Sequence, residues 1–131
     1  MTGLDTNVLV RYIMQDDAKQ SAKATRLVES LTVAEPGFIA LVSVVELVWV
    51  LPACYDLSRD QITQALEVLL RAKQLVVDQA DQVIRALRVY SSGKADFADC
   101  LIERTASSAG CERTMIFDVG AAKAAGMTLI P

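Results

Sequence analysis

Histidine is missing from all 131 residues. That absence removes Ser–His and Cys–His nucleophile systems, and any zinc site that depends on imidazole. Hydrolytic chemistry in such a chain falls to carboxylates working with a cation. Basic charge is also short: 13 Lys and Arg against 16 Asp and Glu leave a net charge of −3. A broad basic surface for nucleic acid is therefore not expected. A nucleic-acid enzyme whose site is filled by a cation remains compatible with that balance. Cysteine is scarce and odd in number, and Cys54, Cys100 and Cys111 form no close pair. We expect buried thiols in a reducing cytoplasm rather than a disulfide framework or a thiolate metal site. Long apolar runs are lacking too. The longest, residues 38–53, is interrupted by Glu46 and meets Pro52, so no membrane span is expected. The amino terminus lacks the basic-then-apolar order of a signal peptide.

What is present is an alternation of short apolar runs with amphipathic stretches, in a length that suits one domain, residues 1–131. A first strand ends at Leu4, and a helix follows with Val8, Leu9, Tyr12 and Ile13 spaced to bury one face. Thr6 and Asn7 are cap-type residues at its start. Asp16 or Asp17 caps a second helix carrying Ala18, Ala22, Leu27, Val28 and Leu31, which Glu35-Pro36-Gly37 stops. Phe38 to Leu41 reads as a buried parallel strand. Ser43 is expected to cap the next helix, with Glu46 as the reciprocal half of a capping box, and that helix reaches Pro52. Ser58 opens another helix, and Leu75-Val76-Val77 is a strand. Helices over 79–90 and 96–109 follow, the latter with Phe97, Leu101, Ile102 and Thr105 inward and Gly110 closing it. Residues 113–117 and 127–130 are the last strands, around a short Ala-rich helix. The alternation predicts an α/β fold: a three-layer sandwich with a mainly parallel central sheet of four to five strands flanked by helices.

Asp5 and Asp118 share a context, because each follows an apolar strand and precedes a helix. Ligands of open α/β sheets bind at that carboxyl edge. Glu46 is a lone acid in an apolar segment, costly to bury unless paired or bound to a cation. Asp96 and Asp99 lie one turn apart at a helix start, where the helix dipole favours negative charge. Each acid has a simpler reading as a cap or a first-turn residue. Together, in a chain without histidine, they point to oxygen ligands for Mg²⁺ or Mn²⁺. A phospho-receiver module is the competing reading, with Asp78 after the third strand as phosphoacceptor. It leaves Glu46 and Asp99 without a purpose.

The segments Leu-Asp-Thr-Asn-Val-Leu at 4–9, Ser-Val-Val-Glu-Leu-Val-Trp-Val-Leu at 43–51, Ala-Asp-Phe-Ala-Asp-Cys-Leu-Ile at 95–102 and Ile-Phe-Asp at 116–118 resemble PIN-domain proteins. The resemblance is strongest to the VapC toxins of bacterial toxin–antitoxin pairs, and it runs in order along nearly the whole chain. It implies a PIN-like fold and a Mg²⁺- or Mn²⁺-dependent endoribonuclease that works as a cytoplasmic homodimer. A VapB-type antitoxin is implied as the inhibitor. Asp5, Glu46, Asp99 and Asp118 match the family's four acids, and Asp5, Asp99 and Asp118 are the implied metal ligands. Asp96 matches an extra acid present in many members. Thr6 and Asn7 match small polar residues that support the first acid, and Ser43 a polar residue near the site. Val119-Gly120 departs from the polar residues expected after the fourth acid. Arg11, Lys94 and Arg104 are candidate phosphate contacts by position, Arg11 foremost because its helix begins at Asp5. A PIN scaffold that only binds RNA or protein is the remaining alternative.

Overall fold

A computed structural model describes all residues, Met1–Pro131. The chain divides into two compact units, Met1–Asp78 and Gln79–Pro131.

The first unit is built on three parallel strands, β1 (Thr2–Gly3), β2 (Gly37–Ile39) and β3 (Leu75–Val77), in the order β1-β2-β3. Gly3 pairs with Phe38, and Phe38 with Val76. Leu4 extends the first ladder by donating its N–H to the Phe38 carbonyl at 2.9 Å. Helices α1 (Thr6–Met14) and α2 (Ala18–Ser30) connect β1 to β2, and α3 (Leu41–Tyr55) and α4 (Arg59–Arg71) connect β2 to β3. Parallel strands require such crossovers. The core gathers Leu9, Val28, Ile39, Leu47, Leu51, Ile62 and Leu66, each almost fully buried. At Gly37 in the middle strand, a side chain would have to displace leucine methyl groups. An added Cβ would lie 2.7 Å from Leu31 Cδ1, 2.9 Å from Leu4 Cδ1 and 3.1 Å from Leu75 Cδ2.

Helix starts follow local chemistry with two corrections. Asp17 caps α2, accepting from Gln20 N–H at 2.8 Å, and Ser58 with Gln61 forms a full capping box on α4. At α1 the cap is Asp5 itself rather than Thr6 or Asn7, and Thr6 is the first helical residue. At α3 the expected Ser43–Glu46 box is absent. The N-cap is Ala40, without a side-chain bond. The helix starts two residues before Ser43, so Ser43 is a buried interior residue. Leu41 N–H instead meets Asp78 Oδ2 at 3.4 Å, from the end of β3. The helix also runs through Pro52 to Tyr55. On α2 the buried positions are Ser21, Ala24 and Val28. Ala22 is exposed and Leu27 borderline, so the inward face is turned from the expected one.

The second unit contains α5 (Ala80–Ser92), α6 (Phe97–Ser108), β4 (Met115–Ile116), α7 (Val119–Ala125) and β5 (Thr128–Leu129). Helices α5 and α6 pack together, with Tyr90 and Phe97 in an edge-to-face contact at 5.8 Å. Strands β4 and β5 pair in parallel as a separate two-stranded ladder. All five expected strands therefore form, hydrogen-bonded as three plus two. On α6, Phe97 and Leu101 point inward as expected, whereas Ile102 and Thr105 are exposed. Of the cysteines only Cys100 is buried; Cys54 and Cys111 are exposed free thiols. No helix is long and apolar enough to cross a membrane.

Candidate active site

In the first unit, the carboxyl ends of the parallel strands share one edge. Asp5 follows β1, Ala40 and α3 follow β2, and Asp78 follows β3. The Asp5 carboxylate accepts from Asn7 N–H at 3.2 Å through Oδ2. One oxygen suffices for this cap, so capping and ligand binding are compatible in one side chain. Thr6 is buried and donates its hydroxyl to Glu46 Oε1 at 3.0 Å. This bond holds Glu46 of α3 against the start of α1. Glu46 is an exposed residue rather than a buried one, so the cost of deep burial anticipated from its apolar flanks does not arise.

In the second unit, Asp96, Asp99 and Asp118 line one cavity of about 700 Å³. Asp96 is the N-cap residue of α6 without making a side-chain bond to it, and Asp99 lies in the helix's first turn. Asp118 follows β4 and caps α7, accepting from Ala121 N–H at 2.8 Å. The Asp99 carboxyl is held above the ordinary carboxylate range, first by partial burial and then by the negative charges of Asp96 and Asp118. Such crowding raises a carboxyl pKa unless a cation balances it. The backbone at Val119-Gly120 starts α7 directly after Asp118, so the departure there leaves the helix intact.

The candidate cations divide sharply. Arg11 donates to Asp16 at 2.8 Å, to Tyr55 Oη at 3.2 Å and to Gln20 at 2.7 Å. Tyr55 in turn donates to Asp16 at 2.7 Å. Arg11 thus ties α1 to the start of α2 and the end of α3, and its guanidinium is taken up in that work. Arg104 is likewise bound to Glu103 through both Nε and Nη2. Lys94 lines the cavity of the three acids, and so does Lys123 of α7. Lys123 was not singled out from the sequence. The available signal was that it is the sole cation between Arg113 and the end of the chain, five residues after Asp118.

The donor set consists of carboxylate oxygens, which suits a small hard cation and no soft metal. No group of three or more Cys, Asp or Glu side chains is arranged to hold a metal ion. The residues fit such an ion by chemistry, in an acid-lined cavity where like charges already press on Asp99. Asp78, the phosphoacceptor of the competing reading, accepts from the Leu41 backbone N–H at the start of α3 through its carboxylate Oδ2.

These features define a class: an α/β protein with carboxylates placed at the carboxyl ends of parallel strands and no imidazole. A family model for the PIN domain matches residues 4–127, and the chain belongs to that family. It is also similar to the VapC ribonuclease of Aquifex aeolicus (strain VF5), with 25% identity over 114 residues. That alignment covers 87% of this chain and 84% of the relative. No solved structure matches the chain.

Proposed function

We propose that this chain is a VapC-like endoribonuclease that hydrolyses RNA phosphodiester bonds with Mg²⁺ or Mn²⁺. The observation that carries the reading is the cavity shared by Asp96, Asp99 and Asp118, in a chain whose PIN-family match also takes in Asp5 and Glu46. Asp5, Asp99 and Asp118 are the residues we assign to the ion. A divalent ion, when bound, supplies positive charge to the phosphodiester and lowers the pKa of water at the site. Glu46, oriented by the Thr6 hydroxyl, adds a fourth carboxylate to the same reaction. Asp96 orients the attacking water, and Ser43 and Asn7 support the site as polar neighbours. The similarity to a VapC ribonuclease supports a VapB-type antitoxin as the inhibitory partner and a cytoplasmic setting. We also assign a homodimer, supported by the apolar residues that α3 leaves exposed, Val42 and Trp49.

The test is cleavage of total RNA by the purified chain freed of any partner. Mg²⁺ should switch cleavage on and EDTA should abolish it. Asp99→Asn should cut at least about a hundredfold more slowly, the scale on which losing a positioned acid or base acts. Cleavage that survives EDTA, or an Asp99→Asn variant as fast as the wild type, would overturn the assignment.

A further inference from the structure

We propose that Lys123 and Lys94 form the phosphate-holding side of the acid-lined cavity and position the RNA backbone there. This rests on the ribonuclease reading above and names how that site would take its substrate. The cavity in the second unit has acids at Asp96, Asp99 and Asp118 and ammonium groups at Lys94 and Lys123. Its volume of about 700 Å³ is in the range of small-ligand pockets and has room for a nucleotide-sized unit. Lys123 forms no salt bridge, so its charge is not devoted to neutralising the neighbouring acids. Neither Arg11 nor Arg104 lines this cavity. Arg11 is bound to Asp16 and Arg104 to Glu103. A chain of net charge −3 has little long-range attraction for RNA. Local cations beside the reacting carboxylates are then what holds a polyanion in register. An ammonium group suits this role, being a point charge that binds phosphate oxygens from several directions.

The test measures binding of a short single-stranded RNA to the full chain in EDTA, by fluorescence anisotropy over a series of salt concentrations. Lys123→Gln should raise Kd about fivefold at low salt and lower the slope of log K against log salt by about 0.7, the share of one phosphate contact. Lys94→Gln should act in the same sense, and Lys123→Arg should restore both affinity and slope. A fold defect would not produce a selective slope change with arginine rescue. Unchanged affinity and slope in both glutamine variants would overturn the inference. So would competition by poly-glutamate as effective as by RNA of equal charge, since that outcome assigns the lysines to an acidic peptide. The two readings fail separately. Lysine-dependent RNA binding without cleavage under Mg²⁺ removes the nuclease and leaves the lysines in place. Cleavage indifferent to both lysines removes only the phosphate role.

Discussion

Asp5 and Asp118 cap helices and are also the carboxylates proposed for the ion, and the two roles can be tested separately. Each caps a helix through one carboxylate oxygen. Asparagine caps about as well as aspartate but carries no charge. Asp5→Asn and Asp118→Asn should therefore melt close to the wild type, within about 0.5 kcal/mol, while cleavage falls by about a hundredfold or more. Equal losses of stability and activity in thermal melts and rate assays would reduce both acids to caps. Thr6 offers a second test. Its hydroxyl is buried and donates to Glu46 at 3.0 Å. Thr6→Val keeps the shape and removes the donor, which should cost about 1 kcal/mol. Loosening a supporting contact of this kind typically slows a site about tenfold to a hundredfold. Thr6→Ser should retain most of the rate, and a Thr6→Val enzyme at full speed would sink the role. The placement of Asp5 and Asp118 between a strand and a helix was legible in the sequence. The Thr6–Glu46 bond was not, because its partners are 40 residues apart and each had a plausible local partner.

Elements were legible where local signals were strong. Asp17 and Ser58 start their helices as read. Helix α3 was placed correctly but started wrongly, because the tertiary contact from Asp78 at the end of β3 took the place of the local box. The faces of α2 and α6 were misjudged at Leu27, Ile102 and Thr105, since apolar spacing does not say how wide a stripe the neighbours cover. Gly37 is packed against three leucine side chains. Gly37→Ala should destabilise by about 1–2 kcal/mol, because three leucine methyls must move together. A chemical denaturation curve that matches the wild type would show that they yield freely. The link among α1, α2 and α3 carries a pH signature. Hydrogen bonds from Tyr55 and then Arg11 hold the Asp16 carboxyl below its ordinary value of 3.8. A carboxyl depressed in the folded state stabilises above its unfolded value, and that contribution vanishes as pH falls through the folded one. The stability margin of wild type over Asp16→Asn should thus hold at neutral pH and shrink as the pH drops below about 4. A margin independent of pH would mean the network is held by packing alone.

At the scale of the whole molecule, the strand–helix alternation announced a parallel α/β architecture, and the structure supplies all five strands in parallel pairings. Their division into ladders of three and two was not legible. The strands β1, β4 and β5 are two residues long, too short for periodicity to assign neighbours. The exposed thiols Cys54 and Cys111 were missed for a similar reason, since a cysteine's usual burial is a tendency of the residue type and not of its place. Helix α3 poses the clearest question about assembly. It buries Val44, Leu47, Val48 and Leu51 on its inner face, yet Val42 and Trp49 are 65% and 72% exposed. Seven residues separate them, two turns along one face of the helix. A tryptophan so exposed has little to do for the stability of a single chain, whereas aromatic anchors dominate protein interfaces. If α3 joins the two copies of the proposed homodimer, Trp49→Ser should weaken dimerisation about tenfold or more. Its melting of the isolated chain should stay within about 0.5 kcal/mol of the wild type. Light scattering after size-exclusion chromatography, over a dilution series, reads this directly. The wild type should keep the mass of two chains to lower concentrations than the variant. A variant that remains dimeric over the same dilutions would move the interface away from α3, and a wild-type mass of one chain throughout would dismiss the homodimer.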